Sequence, residues 1–200
     1  MNANQYFKAV EQLQGWRECV FLLALAERGF PNYALFSDAV GMKGGAKMRN
    51  LLDQAWDLLQ DTSAETIVPT LLAKLESLSP DVEQYDMYGV YPAFDFCRLF
   101  EQALLNRLNP TRHRASEAAQ WATGTVMSFI EVSEGEGMDD DELVTLLDQH
   151  ELMKIDKAFQ RDLVLSVKRQ RTPTETFVEA LKARAANDGV SNIGIALSDQ

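Results

Sequence analysis

Residues 48–59 read Met-Arg-Asn-Leu-Leu-Asp-Gln-Ala-Trp-Asp-Leu-Leu, and the apolar members of this stretch recur at helical spacing. Successive steps of three, one, three, one and three residues separate Met48, Leu51, Leu52, Ala55, Trp56 and Leu59. Because an α-helix turns once in about 3.6 residues, these steps place all six side chains on one stripe. The stretch therefore predicts a helix that packs one face against a core.

Stripes with the same spacing follow along the rest of the chain, and no segment shows sustained alternation of apolar and polar residues. They occupy residues 67–75, 97–108, 119–130, 143–147, 155–167 and 177–185. The stripe over 155–167 consists of Ile155, Phe159, Leu163 and Val167. A helical period throughout, without a period of two, indicates an all-α protein.

The predicted helix boundaries rest on capping pairs and chain-stopping residues. Three pairs have the spacing of a capping box: Thr62 and Glu65, Asp139 and Glu142, and Thr172 and Glu175. Pro92 and Pro173 suit first-turn positions. Helix ends are predicted at residues 29–31, 41–45, 109–110, 134–137 and 187–189. About eight or nine helices with short connections result, which favours a compact antiparallel helical bundle.

The length of the chain, 200 residues, is enough for one hydrophobic core without disulfides or a structural metal, so we expect a single domain over residues 1–200. Ser191 to Leu197 form an apolar tail after the last helix. An exposed apolar terminus is costly in water. We therefore expect the tail to dock in extended form, on the helical body or on a second copy.

The charge balance excludes two classes of partner. Thirty acidic residues stand against 19 basic ones, and the formal net charge of −11 repels nucleic acid and anionic lipid. The longest apolar run, Cys19 to Ala26, has eight residues, far fewer than the roughly 20 that span a bilayer. Cys19 and Cys97 are the only cysteines, and both lie in apolar helical stretches that suit free thiols in a reducing compartment. We expect a cytoplasmic protein.

Motifs for common chemistries are incomplete in this sequence. The glycines at 41–45 lack the spacing and the preceding strand of a phosphate loop, and the acidic residues 134–142 lack the ligand order of a calcium loop. His113 and His150 are the only histidines and neither lies near a cysteine in sequence, so no metal site and no cofactor are predicted. A Cys–His nucleophile pair stays open, because residues distant in sequence can be neighbours in space.

Two polar-aromatic segments, residues 27–33 and 85–95, are the candidates for a site, and both are expected to join helices. Glu27 lies eleven residues after Trp16, on the same apolar face, so its carboxylate needs a partner. Asp95 lies one turn after Tyr91, near the start of a helix that Pro92 begins, where a tyrosine hydroxyl or Arg28 could accompany it.

Two interpretations of these segments are open. The first is a small-molecule pocket with a carboxylate as general base and Arg28 as anion clamp. Its candidate ligand-binding residues are Glu27, Arg28, Asn32, Tyr33, Tyr88, Tyr91 and Asp95. The second, which we favour, is a buried network that fixes two helix junctions, because such networks occur without function. It uses Glu27, Arg28, Asn32, Tyr88 and Asp95.

The same segments resemble the YjaG-like family of bacterial proteins, a family of unknown function. The specific string is Tyr88-Gly89-Val90-Tyr91-Pro92-Ala93, followed by Asp95 and Cys97. Supporting matches are Glu27-Arg28, Pro31-Asn32-Tyr33-Ala34 with Phe36, and Ser191-Asn192-Ile193-Gly194-Ile195. The resemblance implies a compact all-helical bacterial cytosolic protein, and it supplies neither an activity nor a ligand.

The leading functional hypothesis from the sequence is a non-catalytic protein that acts through contacts with a partner protein or with itself, as a homo-oligomer. The absence of catalytic motifs and the apolar tail motivate it. The alternative is the small-molecule-binding protein or enzyme built on the seven residues above.

Overall fold

The computed structural model describes residues 2–60, 64–111 and 113–197. The described residues form nine α-helices and no strand, which confirms the all-α prediction. The helices are α1 (Ala3–Glu11), α2 (Trp16–Ala39), α3 (Gly45–Asp57), α4 (Ala64–Leu78), α5 (Val90–Leu108), α6 (Arg114–Glu134), α7 (Asp140–Gln149), α8 (Glu151–Arg169) and α9 (Glu175–Ala186). Single 3-10 turns occupy Leu58–Gln60, Val82–Gln84 and Asn187–Gly189.

Helix α2 is the centre of the molecule. Its residues 19–26 are apolar without interruption, and every one of them is buried. A helix that is apolar all round must be covered all round, and α2 packs against α3, α5, α6, α8 and α9. These five helices surround α2, whereas α1 and α7 pack on α6 and α8, and α4 packs on α3 and α5.

The predicted helix end at Gly29-Phe30-Pro31 is wrong, because α2 continues through these residues to Ala39. Pro31 has no amide hydrogen for the carbonyl of Glu27, which normally interrupts a helix. Here residues 29–33 are all buried, with Gly29 against Phe96 of α5. Burial on several sides outweighs the lost hydrogen bond. The segment 27–33 is therefore the middle of a helix, and only 85–95 joins two helices.

Other boundaries test the capping predictions. The Asp139–Glu142 capping box is confirmed, with each side chain accepting a hydrogen bond from the other residue's backbone. The pair Thr172 and Glu175 is wrong, since α9 begins at Glu175 and Thr174 is its N-cap. Pro173 explains the shift, because a residue before proline avoids helical geometry. Pro92 lies in the first turn of α5, as predicted, whereas the first-turn position predicted for Pro173 is wrong, because Pro173 precedes the N-cap of α9. Thr62 lies outside the described residues.

The face that α8 buries differs from the predicted stripe. Ile155 is 48% exposed, whereas its neighbour Asp156 is buried. The buried face of α8 runs through Met153, Asp156, Phe159, Gln160, Leu163, Val164 and Val167. The predicted stripe included Ile155 because it was built from apolar residues alone. It therefore omitted Asp156 and Gln160, the two polar residues of the buried face.

The C-terminal tail docks on the helical body of the same chain. Ile193 is buried in a small core with Val126, Ile130 and Met153. Val190 and Ala196 form an isolated antiparallel bridge, and the amide of Ser191 donates to the carbonyl of Ile195 at 2.9 Å. The tail therefore doubles back over α6 and α8. None of the described helices combines the length and the apolar character needed to cross a membrane.

Candidate functional site

Glu27 has the partner that its position on an apolar face requires, and that partner comes from α3. Arg49 donates from Nη1 to Glu27 Oε1 at 2.5 Å and from Nη2 to Oε2 at 2.9 Å. Trp56 Nε1 donates to Glu27 Oε2 at 2.8 Å. Both carboxylate oxygens of Glu27 are thus occupied in a bidentate pair with an added hydrogen bond.

The pair extends into a network that joins α2, α3 and α9. Arg49 also donates to Asp53, one turn further along α3, and Lys182 of α9 lies 2.6 Å from Asp53 Oδ1. Burial alone would raise the pKa of Asp53, but the bonds from Lys182 and Arg49 outweigh burial and lower that pKa. Residues 49, 53 and 56 share one helix face. That spacing was visible in the sequence, although not the helix it would meet.

Arg28 and Asn32 contact different parts of the molecule from the part that Glu27 contacts. The Arg28 guanidinium lies 4.2 Å from the ring centroid of Phe159, and its buried Nε has no hydrogen-bond partner among the described residues. Burial lowers the pKa of Arg28, and the nearby charge of Asp156 opposes this shift. Asn32 Nδ2 donates to Asn192 Oδ1 at 2.9 Å, which ties α2 to the C-terminal tail.

A buried polar cluster that sequence reasoning missed lies beside Arg28, between α1, α6 and α8. Asp156 Oδ2 accepts from Thr123 Oγ1 at 2.8 Å and from Gln160 Nε2 at 2.9 Å. Gln160 Oε1 in turn accepts a short hydrogen bond from the Tyr6 hydroxyl. Burial raises the pKa of Asp156, partly offset by the bonds from Thr123 and Gln160 and by the charge of Arg28. The spacing of Asp156 and Gln160, one helical turn, was the available signal.

Asp95 lies where α5 meets α6, away from both the Glu27 network and the Asp156 cluster. Its Oδ2 accepts from Thr125 Oγ1 at 2.8 Å, and its Oδ1 lies 3.8 Å from Arg98 Nη1. Burial raises the pKa of Asp95, against the lowering effects of Thr125 and Arg98. The predicted companion Arg28 is bound elsewhere, on α8.

The two tyrosines near Asp95 form an aromatic group with α6. The Tyr88 ring centroid lies 6.0 Å from that of Tyr91 and 6.3 Å from that of Phe129. Burial raises the pKa of Tyr88, while a hydrogen bond with Ser128 opposes the shift. Tyr91 is 54% exposed, the most exposed of the seven sequence candidates. Tyr33, in contrast, is buried and donates its hydroxyl proton to the Leu78 carbonyl at 2.8 Å.

The structure thus distributes the seven candidates over several places. Glu27 is bound to α3, Arg28 and Asn32 face α8 and the tail, and Asp95 faces α6 with Tyr88 and Tyr91 beside it. No hydrogen bond or ion pair between described residues joins Glu27 to Asp95. The contacts of Glu27, Asn32 and Tyr33 are those of a packed network. Ligand binding by any of the seven stays a prediction.

The surroundings of the two thiols and of His150 indicate structural roles. Burial raises the pKa of Cys97 to about 12 and also raises that of Cys19, which leaves both thiols protonated and poorly nucleophilic near neutral pH. His150 caps α8, where its Nδ1 accepts from the Leu152 amide, and its Nε2 lies 3.1 Å from Glu134. Within the described ranges, no three His, Cys, Asp or Glu side chains come together as a set that could hold a metal ion.

One surface combines exposed apolar side chains with acids, and we call it the aromatic–acidic face. It runs from the loop before α5 and the start of α5, which contact α6 through Tyr88 and Phe129, over the C-terminal turns of α6 to α7, which packs against α6. Its exposed apolar members are Met87, Tyr91, Val132, Met138 and Val144. Its acids lie mainly between 131 and 151, where nine Asp and Glu residues occur without a single Lys or Arg.

Comparisons with other proteins agree with this architecture. The family model described as "Protein of unknown function (DUF416)" matches residues 5–196. The "Uncharacterized protein YjaG" of Escherichia coli K12 is 29% identical over 196 residues, which cover 98% of each chain. The protein of the same name from Salmonella typhimurium is 33% identical over 146 residues, 72% of this chain and 74% of the relative.

A solved structure extends the agreement to three dimensions. The crystal structure of a DUF416 family protein from Shewanella baltica OS155 superposes with a TM-score of 0.86 at 27% identity, and the match covers 96% of this chain and 98% of that one. The family match begins inside α1 and spans the other eight helices, with the string at 88–93 and the docked tail up to residue 196. The chain is similar to the YjaG proteins over most of its length, and it belongs to the DUF416 family.

Proposed function

We propose that this protein acts by binding a partner protein, and that the aromatic–acidic face receives a basic, partly apolar segment of that partner. The observation that carries the proposal is the overlap of two properties on one surface. Exposed Tyr and aliphatic side chains accompany nine acids in a stretch, residues 131–151, that holds no Lys or Arg. Each property has a separate physical consequence, and the two together define the chemistry of the partner.

The apolar half of the face favours contact with protein. Tyr91 is 54% exposed, Val132 59% and Val144 60%. Scattered exposed apolar residues are ordinary, but here the Tyr88 ring contacts both Tyr91 and Phe129. Val132 follows one turn after Ser128, the hydrogen-bonding partner of Tyr88. Tyrosine is enriched at the residues that dominate binding energy in protein interfaces. A connected group of this kind supplies an anchor.

The acidic half of the face selects among partners. Glu131, Glu136, Asp140 and Asp141 form no ion pair with a basic side chain in the described parts of the chain. A second copy of this protein would bring the same acids against themselves, and like charges across an interface cost several kcal/mol. A basic segment would neutralise them. The charge pattern therefore favours a basic partner over self-association.

The setting that we propose is the cytoplasm. Two buried free thiols suit a reducing compartment, and the exposed acids suit a partner met in solution. We further propose that binding, not catalysis, is the activity. The raised thiol pKa values and the network roles of Glu27 and Tyr33 support that choice.

A defined peptide tests the proposal. Fluorescence anisotropy would follow a labelled amphipathic helical peptide made of Leu and Lys, beside its counterpart made of Leu and Glu. We expect saturable binding of the basic peptide only, weakened as salt rises because the charges are screened. The double variant Tyr91→Ala, Val132→Ser should weaken binding at least about tenfold.

Matched controls locate the site. Leu165→Ser changes an exposed leucine of α8, outside the face, and should leave binding unchanged. The triple variant Glu131→Gln, Glu136→Gln, Asp141→Asn should weaken binding, whereas Glu65→Gln, Glu76→Gln, Glu83→Gln removes three exposed acids elsewhere and should not. Equal losses in the two triple variants would mean that net charge alone attracts the peptide. A stable dimer in sedimentation, abolished by Val132→Asp, would replace the basic partner with a second copy.

A further inference from the structure

We infer that a cavity between α1, α6 and α8 is a binding site for a small organic carboxylate with a planar apolar body. The cavity has a volume of about 200 Å³ and is lined by Tyr6, Phe7, Thr123, Lys157, Gln160 and Arg161. None of its lining residues belongs to the aromatic–acidic face, although Lys157 lies 3.6 Å from Asp148 of that face. The inference does not depend on the function proposed for the face. None of its lining residues belongs to the seven candidates from the sequence.

The polar wall of the cavity is held rigidly. Gln160 is only 2% exposed, and its amide group links the Tyr6 hydroxyl on one side to Thr123 and Asp156 on the other. The cluster therefore connects three helices through hydrogen bonds in which every member has a partner. Such a wall is preorganised, so a ligand can bind without first ordering it.

The aromatic wall suits a flat apolar group. Tyr6 and Phe7 contact each other edge to face, with ring centroids 5.2 Å apart and an interplanar angle of 67°. An aromatic ring of a ligand can continue this arrangement by stacking or by a further edge contact. The volume of the cavity limits the ligand to a size on the order of ten non-hydrogen atoms, given the roughly 30 Å³ that a water molecule occupies.

Two cations specify the charge of the ligand. Arg161 lines the cavity and makes no hydrogen bond or ion pair with any described residue, although its charge acts on the Tyr6 hydroxyl. Lys157 also lines it, with only a partly exposed contact of 3.6 Å to Asp148. A free guanidinium beside an ammonium binds a carboxylate, and Arg can do so in a bidentate manner.

Asp156, the buried acid behind the cavity wall, does not compete for this role. Asp156 lies behind Thr123 and Gln160, and Oδ2, its bonding oxygen in the cluster, faces those two residues. The positive charge of Arg28 acts on it from α2. Asp156 therefore holds the wall in place, and Lys157 and Arg161 remain to face an incoming anion.

Benzoate is the probe for this site, since it joins a planar ring to one carboxylate. Titration calorimetry would compare it with benzamide, which has nearly the same shape without the charge. We expect saturable benzoate binding and at least about tenfold weaker binding of benzamide. Arg161→Gln should weaken benzoate at least about tenfold and leave benzamide unchanged, because only the charged contact is lost.

The control variant is Arg169→Gln, which removes an exposed arginine at the end of the same helix. Its affinity for benzoate should equal that of the wild type. Arg161 is also exposed, so folding is not at risk. Amide shifts in an NMR titration should centre on Tyr6, Phe7, Thr123 and Gln160. Equal affinity for benzoate and benzamide, no loss in Arg161→Gln, or shifts centred elsewhere would each overturn the assignment.

Discussion

At the scale of single residues, the buried carboxylates decide how the core is held. The sequence predicted that Glu27 needs a partner, because it shares a face with apolar residues. It did not predict Arg49, because the partner lies 22 positions away and only the packing of α3 on α2 joins them. A sequence shows that a carboxylate on an apolar helix face needs a partner. Which residue becomes that partner depends on tertiary structure.

Replacing Glu27 by leucine should lower the free energy of unfolding by about 3 kcal/mol, because Arg49 and the Trp56 indole lose a buried acceptor. Urea denaturation followed by circular dichroism measures this. The double variant Glu27→Leu, Arg49→Met should recover part of the loss, since it removes the cation that the first change deprives of its buried partner and leaves with Asp53 alone. A single variant as stable as the wild type would contradict a buried network.

Asp156 and Asp53 should affect stability with opposite dependence on pH. The folded pKa of Asp156 is raised, so the folded state binds an extra proton just above the usual pKa of an aspartate. Its contribution is therefore fully present below that value and declines as pH rises through the folded pKa. The stability difference between wild type and Asp156→Asn should fall over that window.

The matched case is Asp53, whose folded pKa is lowered by Lys182 and Arg49 against the effect of burial. Its contribution is present above the usual aspartate pKa and is lost as pH falls through the folded value. The difference between wild type and Asp53→Asn should therefore rise with pH. Urea midpoints at a series of pH values measure both. Parallel slopes for the two variants would contradict the different surroundings of the two carboxylates.

At the scale of helices, local signals were reliable where the helix ends in water and unreliable where it is enclosed. Gly41 and the capping box at Asp139 lie in exposed connections, and the boundaries there were predicted correctly. The breakers Gly29 and Pro31 lie inside the most enclosed helix, where burial outweighs them. Sequence reasoning weighs local preference without knowing how much packing opposes it.

The same physics predicts the effect of the other internal proline. Pro69 lies inside α4, beyond the first turn, and is exposed. Pro69→Ala should restore an amide hydrogen bond and relieve the ring's clash, at the cost of a more flexible unfolded chain. We expect the free energy of unfolding to rise by about 1–2 kcal/mol in urea denaturation. Thr70→Ala, an exposed neighbour, is the control and should change it little.

At the scale of the whole molecule, the helical class and the docking of the tail were predictable, but the arrangement of helices was not. The class follows from periodicity, which each segment carries in itself. The arrangement depends on which stripes meet, and α8 shows the difficulty, since its buried face includes Asp156 and Gln160. The seven candidate residues lie apart in the structure for the same reason. Residues close in sequence, such as Glu27 and Arg28, point to different helices.

The tail offers a test of whether these parts unfold together. Ile193 is 3% exposed in the small core with Val126, Ile130 and Met153, apart from the larger core that contains Trp56. Ile193→Ala should lower the free energy of unfolding by about 2–4 kcal/mol, because it leaves a cavity. If residues 1–200 form one domain, as the sequence predicts, one cooperative transition should carry the whole loss.

Two probes separate the outcomes. Tryptophan fluorescence reports on the larger core, because Trp56 lies in it and Trp16 and Trp121 pack against it. Circular dichroism reports on all helices. In wild type and Ile193→Ala alike, we expect both signals to change at the same urea concentration, with both midpoints lowered equally by the substitution. Ile195→Ala, a partly buried member of the small core, should give the same pattern with a smaller shift. A fluorescence midpoint that stays at the wild-type value while the circular dichroism midpoint falls would show instead that the small core and the tail unfold independently of the larger core.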